Sequence, residues 1–344
     1  MDLKSDNDIS EPDVDMISLT NDNMPPTSTD PNEINNFEML SATVALQPAT
    51  LKYLNYNEFR DSALRQVFSL PASIMYYVAK NPPSSEVYQK MIQSCKYFFI
   101  KNPSIVLRCL HFSDKDGWRT CVKKRCLGPM ENQNYRKIDL ELDKIQSKIW
   151  VLCKLKIDSL NSTIASSAIS KLYNRQFIEF KSFNQKIPFN EFLFISQSIE
   201  KLNFMKSTVY YQNGNEVPFE IIVSNLPQLK KIYFKRLDSL YDDSKTVAEL
   251  VKIPHFKNLK CISLTEIFES FDIDLFVKYL KQNTKTTIGL KFNDALSDGY
   301  KEKLQAFTDE VLEAEMPRAY LPPSIIFDGQ FRQNELHELC LTYV

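Results

Sequence analysis

A short apolar pattern recurs six times between residues 155 and 293 of this 344-residue chain. In each copy two apolar residues are separated by one residue, and a third apolar or small residue follows three positions later. Because side chains alternate between the two faces of a β-strand, each copy predicts a short strand with one buried face. The first residues of the copies, including a partial seventh at 325–327, are Leu155, Ile178, Leu202, Ile232, Ile262, Ile288 and Ile325.

Successive copies lie roughly 23 to 30 residues apart, which is the period at which leucine-rich repeats stack. Leucine-x-x-isoleucine lead-ins precede two copies, at Leu229 and Leu259, and segments 189–202, 246–252 and 272–281 between the copies have helical periodicity. The pattern resembles the leucine-rich-repeat family, although the regular asparagine of that motif is mostly absent. The resemblance implies an irregular α/β solenoid, in which each unit covers the apolar face of its neighbour.

An ordinary α/β domain with a doubly wound sheet would also alternate strands and helices. The short strands, the recurring lead-in and the lack of a glycine-rich turn after any strand favour the solenoid over this alternative. Residues 300–315, followed by prolines, predict a helix and a turn that cover the end of the repeats.

Residues 69–99 predict two short helices joined by a sharp turn. Pro71 suits the first turn of a helix, because its missing N–H would have no partner there. The pair Pro82-Pro83 ends the first helix, and Ser84 or Ser85 can accept hydrogen bonds from the free amides that begin the second. Core packing in any helical hairpin would account for this apolar periodicity alone. The apolar positions at helical spacing are Ile74, Met75, Val78, Val87, Met91 and Cys95.

The order of residue types from Leu70-Pro71 to Cys95-Lys96-x-Phe98 resembles the F-box. The resemblance covers residues 69–110, and it implies docking onto the small adaptor subunit of cullin-based ubiquitin ligases. The matching positions for that contact are Leu70, Pro71, Ile74, Met75 and Val78, and the positions shared between internal packing and partner contact are Val87, Met91 and Cys95. A third short helix, carrying Ile105, Val106, Cys109 and Leu110, is expected to close the unit.

These patterns predict an α+β protein, with a small helical F-box-like N-terminal domain followed by an irregular leucine-rich-repeat-like α/β solenoid. The predicted segments are a disordered acidic tail at 1–36, a lead-in at 37–68, the F-box-like domain at 69–112, a linker at 113–135, the solenoid at 136–329 and a C-terminal tail at 330–344. The acidic tail follows from its many carboxylates and few apolar residues, which cannot offset the entropy of ordering the segment.

Composition narrows the class of partner. The formal net charge of −1 gives no global basic field, so nothing in it indicates nucleic acid. No apolar run approaches the length of a membrane span. The seven cysteines are scattered without framework spacing, which is typical of a reduced intracellular chain. We therefore expect a cytoplasmic or nuclear protein.

No catalytic motif is present: the sequence contains no G-x-S-x-G, G-x-G-x-x-G, Walker loop or H-E-x-x-H. The histidines His111, His255 and His337 are isolated, and helix capping accounts for the carboxylates at 242–243 and at 272 and 274. Cys121 and Cys126 have a spacing seen in some metal sites, but no second ligand pair follows them. We expect a non-catalytic protein without cofactor or metal.

The order of the two regions resembles the substrate receptors of cullin-based ubiquitin ligases. That resemblance implies a bridge that holds a target protein near a ubiquitin-charged enzyme and so raises its effective concentration. The alternatives are a repeat scaffold that never meets a ligase and an enzyme with an unrecognised site. The expected target-contacting residues, on the solvent-facing side of the strands, are Glu179, Asn203, Met205, Tyr233, Lys235, Ser263 and Thr265.

Overall fold

The structure is a computed structural model and describes residues 56–121, 135–138, 140–142, 144–174, 176–235, 244–282, 284–316 and 318–343. The α-helices in this part of the chain are α1 (Tyr56–Asp61), α2 (Ala72–Lys80), α3 (Ser85–Ser94), α4 (Lys96–Lys101), α5 (Ile164–Ser170), α6 (Phe189–Ser196), α7 (Phe219–Ser224), α8 (Thr246–Leu250), α9 (Ile273–Gln282), α10 (Asp298–Glu313) and α11 (Gln333–Leu341). None of them is both long enough and apolar enough to cross a lipid bilayer.

The strands are β1 (Ser104–Ser113), β2 (Gly117–Cys121), β3 (Tyr135–Lys137), β4 (Lys148–Asp158), β5 (Glu179–Phe183), β6 (Lys186–Pro188), β7 (Lys201–Met205), β8 (Thr208–Tyr210), β9 (Lys231–Lys235), β10 (Cys261–Ile267), β11 (Thr287–Phe292) and β12 (Ser324–Ile326). Ten of them form one mixed, mostly parallel sheet in the order β12-β11-β10-β9-β7-β5-β4-β1-β2-β3. Strands β2 and β3 are the antiparallel members, and β6 and β8 form a separate parallel pair.

From β4 to β12, neighbouring strands of the large sheet follow one another in the chain. Each of the seven predicted positions overlaps a strand, and residues of one row lie side by side across the sheet. The row of first apolar residues is Leu155, Phe180, Leu202, Ile232, Ile262 and Ile288. The prediction of alternating burial is therefore confirmed for these strands.

The second copy of the pattern was assigned two residues too early. Ile178 was predicted as its first buried residue, but it precedes β5 and is 45% exposed. Phe180 and Ser182 occupy the two buried positions instead. The shift of two residues preserves the alternation, so the sequence pattern alone did not reveal it.

Helices α5 to α11 contribute to one continuous apolar core with the buried rows of the sheet. The helical segments predicted at 189–202, 246–252, 272–281 and 300–315 correspond to α6, α8, α9 and α10, although the first ends early because β7 begins at Lys201. Helix α9 buries Phe276, Tyr279 and Leu280 on one face. Helices α5 and α7 were not predicted, because β-branched and serine residues give them weak helical signals.

The third helix expected after Phe99 is wrong, since residues 104–113 form β1. This strand pairs with β4 on one side and with β2 on the other. The β-branched residues Ile105 and Val106 suit that position, and pairing on both edges outweighs the local helical periodicity. The helix that closes the hairpin is α4, which ends before Asn102.

Two further segments differ from the predicted boundaries. The segment assigned as a linker contains β2, and the segment assigned as a C-terminal tail forms α11, whose Leu336 is buried in the main core. The acidic tail, most of the lead-in, Cys126, Leu237 and the carboxylates at 242–243 lie outside the described residues.

Candidate functional site

Helix α2 has an exposed apolar stripe. Ile74 and Val78 are four residues apart, so they lie on one side of the helix, and they are 46% and 38% exposed. Leu70, which precedes the helix by two residues, is 53% exposed. Tyr77 lies on the same side and is 68% exposed. We call these four residues the α2 ridge. Pro71 is also exposed, at the start of the helix, and Val87 on α3 is 39% exposed.

The opposite side of α2 is packed. Met75 and Ala79 are buried with Phe98 in a small core that is separate from the main one. Met91 and Cys95, which the sequence assigned to both packing and partner contact, are half-buried against this core. Of the eight predicted adaptor-contacting residues, the structure thus exposes five and places Met75, Met91 and Cys95 in or against the hairpin core.

Local signals set the bend between α2 and α3. The backbone N–H of Asn81 donates to the carbonyl of Tyr77 at the end of α2. Ser84 Oγ accepts a hydrogen bond from the backbone N–H of Val87 at 3.3 Å, which confirms the predicted cap of α3. Hydrogen bonds from its own backbone N–H and from Ser84 hold the pKa of Glu86 below its ordinary value. The negative charge suits the first turn of the helix.

A buried hydrogen-bond junction attaches the hairpin to the sheet. The hydroxyl of Tyr88, a fully buried side chain, donates to the carbonyl of Asn102 at 2.6 Å and accepts from the backbone N–H of Ser104 at 3.0 Å. Asn102 Nδ2 donates to the carbonyl of Ala79 and to Tyr173 Oη, both at 3.0 Å. The Tyr88 ring also contacts Trp150 of β4. This junction fixes the orientation of α2 and α3 relative to β1 and β4.

The predicted target-contacting residues share one face of the sheet. Asn203, Tyr233 and Ser263 pair in register in one row, and Met205, Lys235 and Thr265 pair in the next. Glu179 belongs to a third row, between Lys154 and Lys201. All seven predicted residues are half-buried, whereas the residues between them in each strand are fully buried.

Lysines dominate this sheet face. The side chain of Glu179 is only 12% exposed and lies 3.4 Å from Lys154 Nζ, 3.3 Å from Lys181 Nζ and 3.7 Å from Lys201 Nζ. Lys235 pairs with Glu266 at 3.0 Å, and that ion pair holds the pKa of Glu266 below its ordinary value. The lysines of the three rows are Lys154, Lys156, Lys181, Lys201, Lys231, Lys235 and Lys291, against the carboxylates of Asp158, Glu179 and Glu266.

Tyr233 is the aromatic residue at the centre of this face. Burial, followed by a hydrogen bond with Cys261, raises its pKa to about 12, so its hydroxyl stays protonated at neutral pH. The face therefore offers a neutral hydroxyl and an amide, from Asn203, surrounded by lysine ammonium groups. We call it the lysine face.

A cysteine–histidine cluster lies on β1 and β2, next to the lysine face, where Cys109 and His111 pair in register with Lys154 and Lys156 of β4. Cys109 of β1 and Cys121 of β2 form a disulfide with Cα atoms 5.9 Å apart, so the expectation of an entirely reduced chain is wrong for this pair. Cysteines that are 12 residues apart become neighbours because β1 and β2 are antiparallel. An imidazole nitrogen of His111 and both sulfur atoms lie within 4.8 Å of one another.

His111 is 2% exposed, and its Nε2 has no hydrogen-bond partner among the described residues. Burial, with smaller contributions from Lys154, Lys156, Arg119 and Lys181, lowers its pKa to about 3. Spacing along the sequence does not reveal this grouping, because Cys109 and His111 precede Cys121 and lie on the neighbouring strand. The signal was the Cys-x-His spacing, which places two side chains on one face of a strand.

The other polar residues singled out from the sequence have structural partners or lie at the surface. His255 Nε2 is 2.9 Å from the carbonyl of Val223, and His337 is exposed on α11. Asp272 accepts a hydrogen bond from the backbone N–H of Leu275 at 2.9 Å, which confirms its capping role. Asp274 forms an exposed ion pair with Lys303.

An open cleft of about 690 Å³ lies beside α6 and the β6–β8 pair. No carboxylate, histidine or cysteine is among the described residues that line it, so it offers no acid–base pair of the kind that hydrolases use. The lining residues are Pro188, Phe189, Asn190, Leu193, Tyr210, Tyr211, Gln212 and Asn213.

Neither a protein-family model nor a curated protein sequence matches this chain. Its function has to be inferred from the α2 ridge, the lysine face and the junction between the hairpin and the sheet.

Proposed function

We propose that this protein is a substrate receptor of a cullin-based ubiquitin ligase, in which the α2 ridge binds the adaptor subunit and the lysine face holds the target. The observation that carries the proposal is the contrast between the two sides of α2. One side is packed through Met75 and Ala79, while Ile74 and Val78 on the other side, with Leu70 just before the helix, are about half exposed.

The ridge has enough apolar surface to contribute to a specific contact. Full burial of one large aliphatic side chain supplies about 1.5–3 kcal/mol, and these three are roughly half exposed. Covering them would therefore supply roughly 2–4 kcal/mol in total. That is the size of contribution expected from the centre of an interface, which polar contacts around it would complete.

For the sheet, we propose an irregular leucine-rich-repeat-like solenoid. Two observations support it: the parallel strands from β4 to β12 are neighbours in chain order, and equivalent residues pair in register from strand to strand. In such a stack each unit is covered by its neighbours, and one face of the sheet stays available for a partner.

The charge of the lysine face indicates the chemistry of the target. Seven lysines against three carboxylates favour an acidic segment, because opposite potentials steer association and fix its register. Tyr233 and Asn203 would supply neutral hydrogen bonds at the centre. Binding through this face should weaken as salt concentration rises, since exposed charges are screened.

The junction at Tyr88 supports a bridging role. It joins α3 directly to the strand that follows the hairpin, so an adaptor on the α2 ridge and a target on the sheet would be held in a constant relation. Catalysis would then come from proximity, without a reactive group of this chain.

A repeat scaffold that meets no ligase is the second candidate. It is favoured by β1, because the segment expected to close an F-box-like unit belongs to the sheet instead. On this alternative, the hairpin is an end cap of the sheet and the α2 ridge binds another protein.

Co-purification with the adaptor subunit separates the two candidates. We expect Ile74→Glu to abolish adaptor binding, because it places a charge at the centre of the α2 ridge. Tyr76→Glu is the matched control: Tyr76 is 51% exposed on the same helix but lies away from the ridge, so adaptor binding should persist.

Circular dichroism establishes that both variants are folded. Loss of the adaptor in Ile74→Glu alone supports the receptor. If the folded wild-type protein does not bind the adaptor, or if both variants bind as the wild type does, the receptor proposal is wrong.

A further inference from the structure

We infer that Cys109, His111 and Cys121 form a zinc-binding site when the two cysteines are in the thiol form. The inference is independent of the ligase proposal, because it makes no use of an adaptor or a target.

The backbone already brings the ligands together. Cys109 and His111 lie two residues apart on β1, and Cys121 lies on the adjacent antiparallel strand β2. The three candidate ligand atoms are within 4.8 Å of one another. A tetrahedral zinc ion with bonds of about 2.3 Å to sulfur needs the two sulfur atoms roughly 3.8 Å apart. Reduction of the disulfide frees the two sulfur atoms to move apart to that separation.

The imidazole of His111 has a buried nitrogen that could bind a metal. His111 is 2% exposed, and its Nε2 makes no hydrogen bond among the described residues. A buried polar atom without a partner costs free energy, which a metal bond would recover. The ring also rests against Tyr135, which limits its movement.

The donor set selects the kind of metal. Two thiolates and one imidazole suit zinc and exclude the oxygen-preferring ions calcium and magnesium. A zinc ion bound by two thiolates adds no net charge to the site. This matters because Lys154, Lys156 and Arg119 already place positive charge near His111. A dication without thiolates would be repelled at this position. The three described ligands leave one tetrahedral position for water or another group.

The disulfide and the zinc site are alternative states of one pair of sulfur atoms. A dithiol reductant supplies two electrons and two protons, becomes a disulfide itself, and converts the Cys109–Cys121 bond to two thiols. Zinc then forms two zinc–sulfur bonds, and the two thiol protons pass to solvent. A two-electron oxidant such as another disulfide would reverse this: it would take up the two electrons, the Cys109–Cys121 bond would form again, and the zinc ion would be released.

The test is a zinc titration of the full chain, reduced with a phosphine, desalted without oxygen and monitored with a competing chromophoric chelator. We expect one tight zinc equivalent in the wild type. Affinity should fall more than about 100-fold in His111→Gln and in Cys121→Ser, because losing a direct ligand exceeds the loss from an outer partner. Cys261→Ser, which removes a half-buried cysteine of β10, is the matched control and should bind as the wild type does.

Cobalt(II) gives a second readout that needs no variant. Bound to the reduced wild type, it should show thiolate-to-cobalt charge-transfer absorption, which the oxidised protein should lack. The inference is overturned if the reduced wild type binds no tight zinc equivalent, if it lacks that absorption, or if folded His111→Gln and Cys121→Ser retain wild-type affinity. An equal loss in Cys261→Ser would also overturn it, because the metal would then lie elsewhere.

Discussion

The helical hairpin and the sheet differ in how completely they bury their apolar side chains. In the sheet, each buried row is covered by neighbouring strands and by α5 to α10, and Leu202, Ile232 and Ile262 are fully buried. In the hairpin, three buried side chains form a separate small core, while Leu70 and Ile74 remain about half exposed. A unit of about forty residues cannot bury all of its apolar surface. Part of the surplus is the α2 ridge, which we propose as the surface that binds a partner protein.

The largest effect should come from the sheet. Phe204 is fully buried and contacts the rings of Phe180 and Phe192. We expect Phe204→Ala to lower the free energy of unfolding by about 3–5 kcal/mol, because it leaves a cavity among closely packed neighbours. Urea denaturation followed by circular dichroism measures this. A loss below about 1 kcal/mol would show that the sheet core is loosely packed.

Helix α2 of the hairpin should show both a large and a small effect, because one of its sides is packed and the other is exposed. Met75→Ala, on the packed side of α2, should cost about 2 kcal/mol, the low end for such a truncation because a small core can partly collapse. Ile74→Ala, one residue earlier on the exposed ridge, should change the free energy of unfolding by less than about 0.5 kcal/mol. Denaturant unfolding of the two variants compares them directly. Equal losses would mean that the ridge is covered by its own chain.

The junction between the two regions should be weaker than either core. Tyr88→Phe removes the hydroxyl and leaves the N–H of Ser104 without that partner, which should cost about 1–2 kcal/mol. Amide hydrogen exchange should accelerate in α2 to α4 more than in β7 to β10. Tyr76→Phe removes an exposed hydroxyl and serves as the control. Unchanged exchange in Tyr88→Phe would show that the ring contact with Trp150 suffices.

The smallest effect should be electrostatic and confined to the sheet. The ion pair with Lys235 lowers the pKa of Glu266 in the folded protein. Stability from this pair is therefore present above the ordinary carboxyl pKa and is lost as the pH falls through the lowered folded value. Comparing unfolding of the wild type and Glu266→Gln between pH 7 and pH 3 isolates it. The variant should lose less stability over that range, and an identical pH profile would contradict the prediction.

Several features of the fold could be predicted because they depend on short-range order. The alternation in β7, β9, β10, β11 and residues 155–158 of β4, the cap at Ser84 and the buried face of α9 each reflect a local period or a local hydrogen bond. The early assignment of Ile178 shows the limit, because a shift of two residues leaves the same alternation and only pairing with β4 and β7 selects Phe180.

The candidate sites could be predicted less well, because the sequence does not show which apolar residues are buried and which stay exposed. It placed Leu70, Ile74 and Met75 together at helical spacing, but it could not divide them between core and surface. That division depends on Phe98, which packs against Met75 from a later helix. Cys109, His111 and Cys121 were not grouped at all, because their proximity comes from the pairing of β1 with β2.

By itself, then, the amino-acid sequence determined where most strands and helices lie and which strand residues point into the core. The periods of helices and strands act over a few residues, and burial follows them. Only the tertiary structure decided that 104–113 is a strand, that one side of α2 stays in solvent, and that two cysteines and a histidine meet. Those outcomes depend on contacts between segments distant in the chain, whose free energies exceed the local preferences of the residues involved.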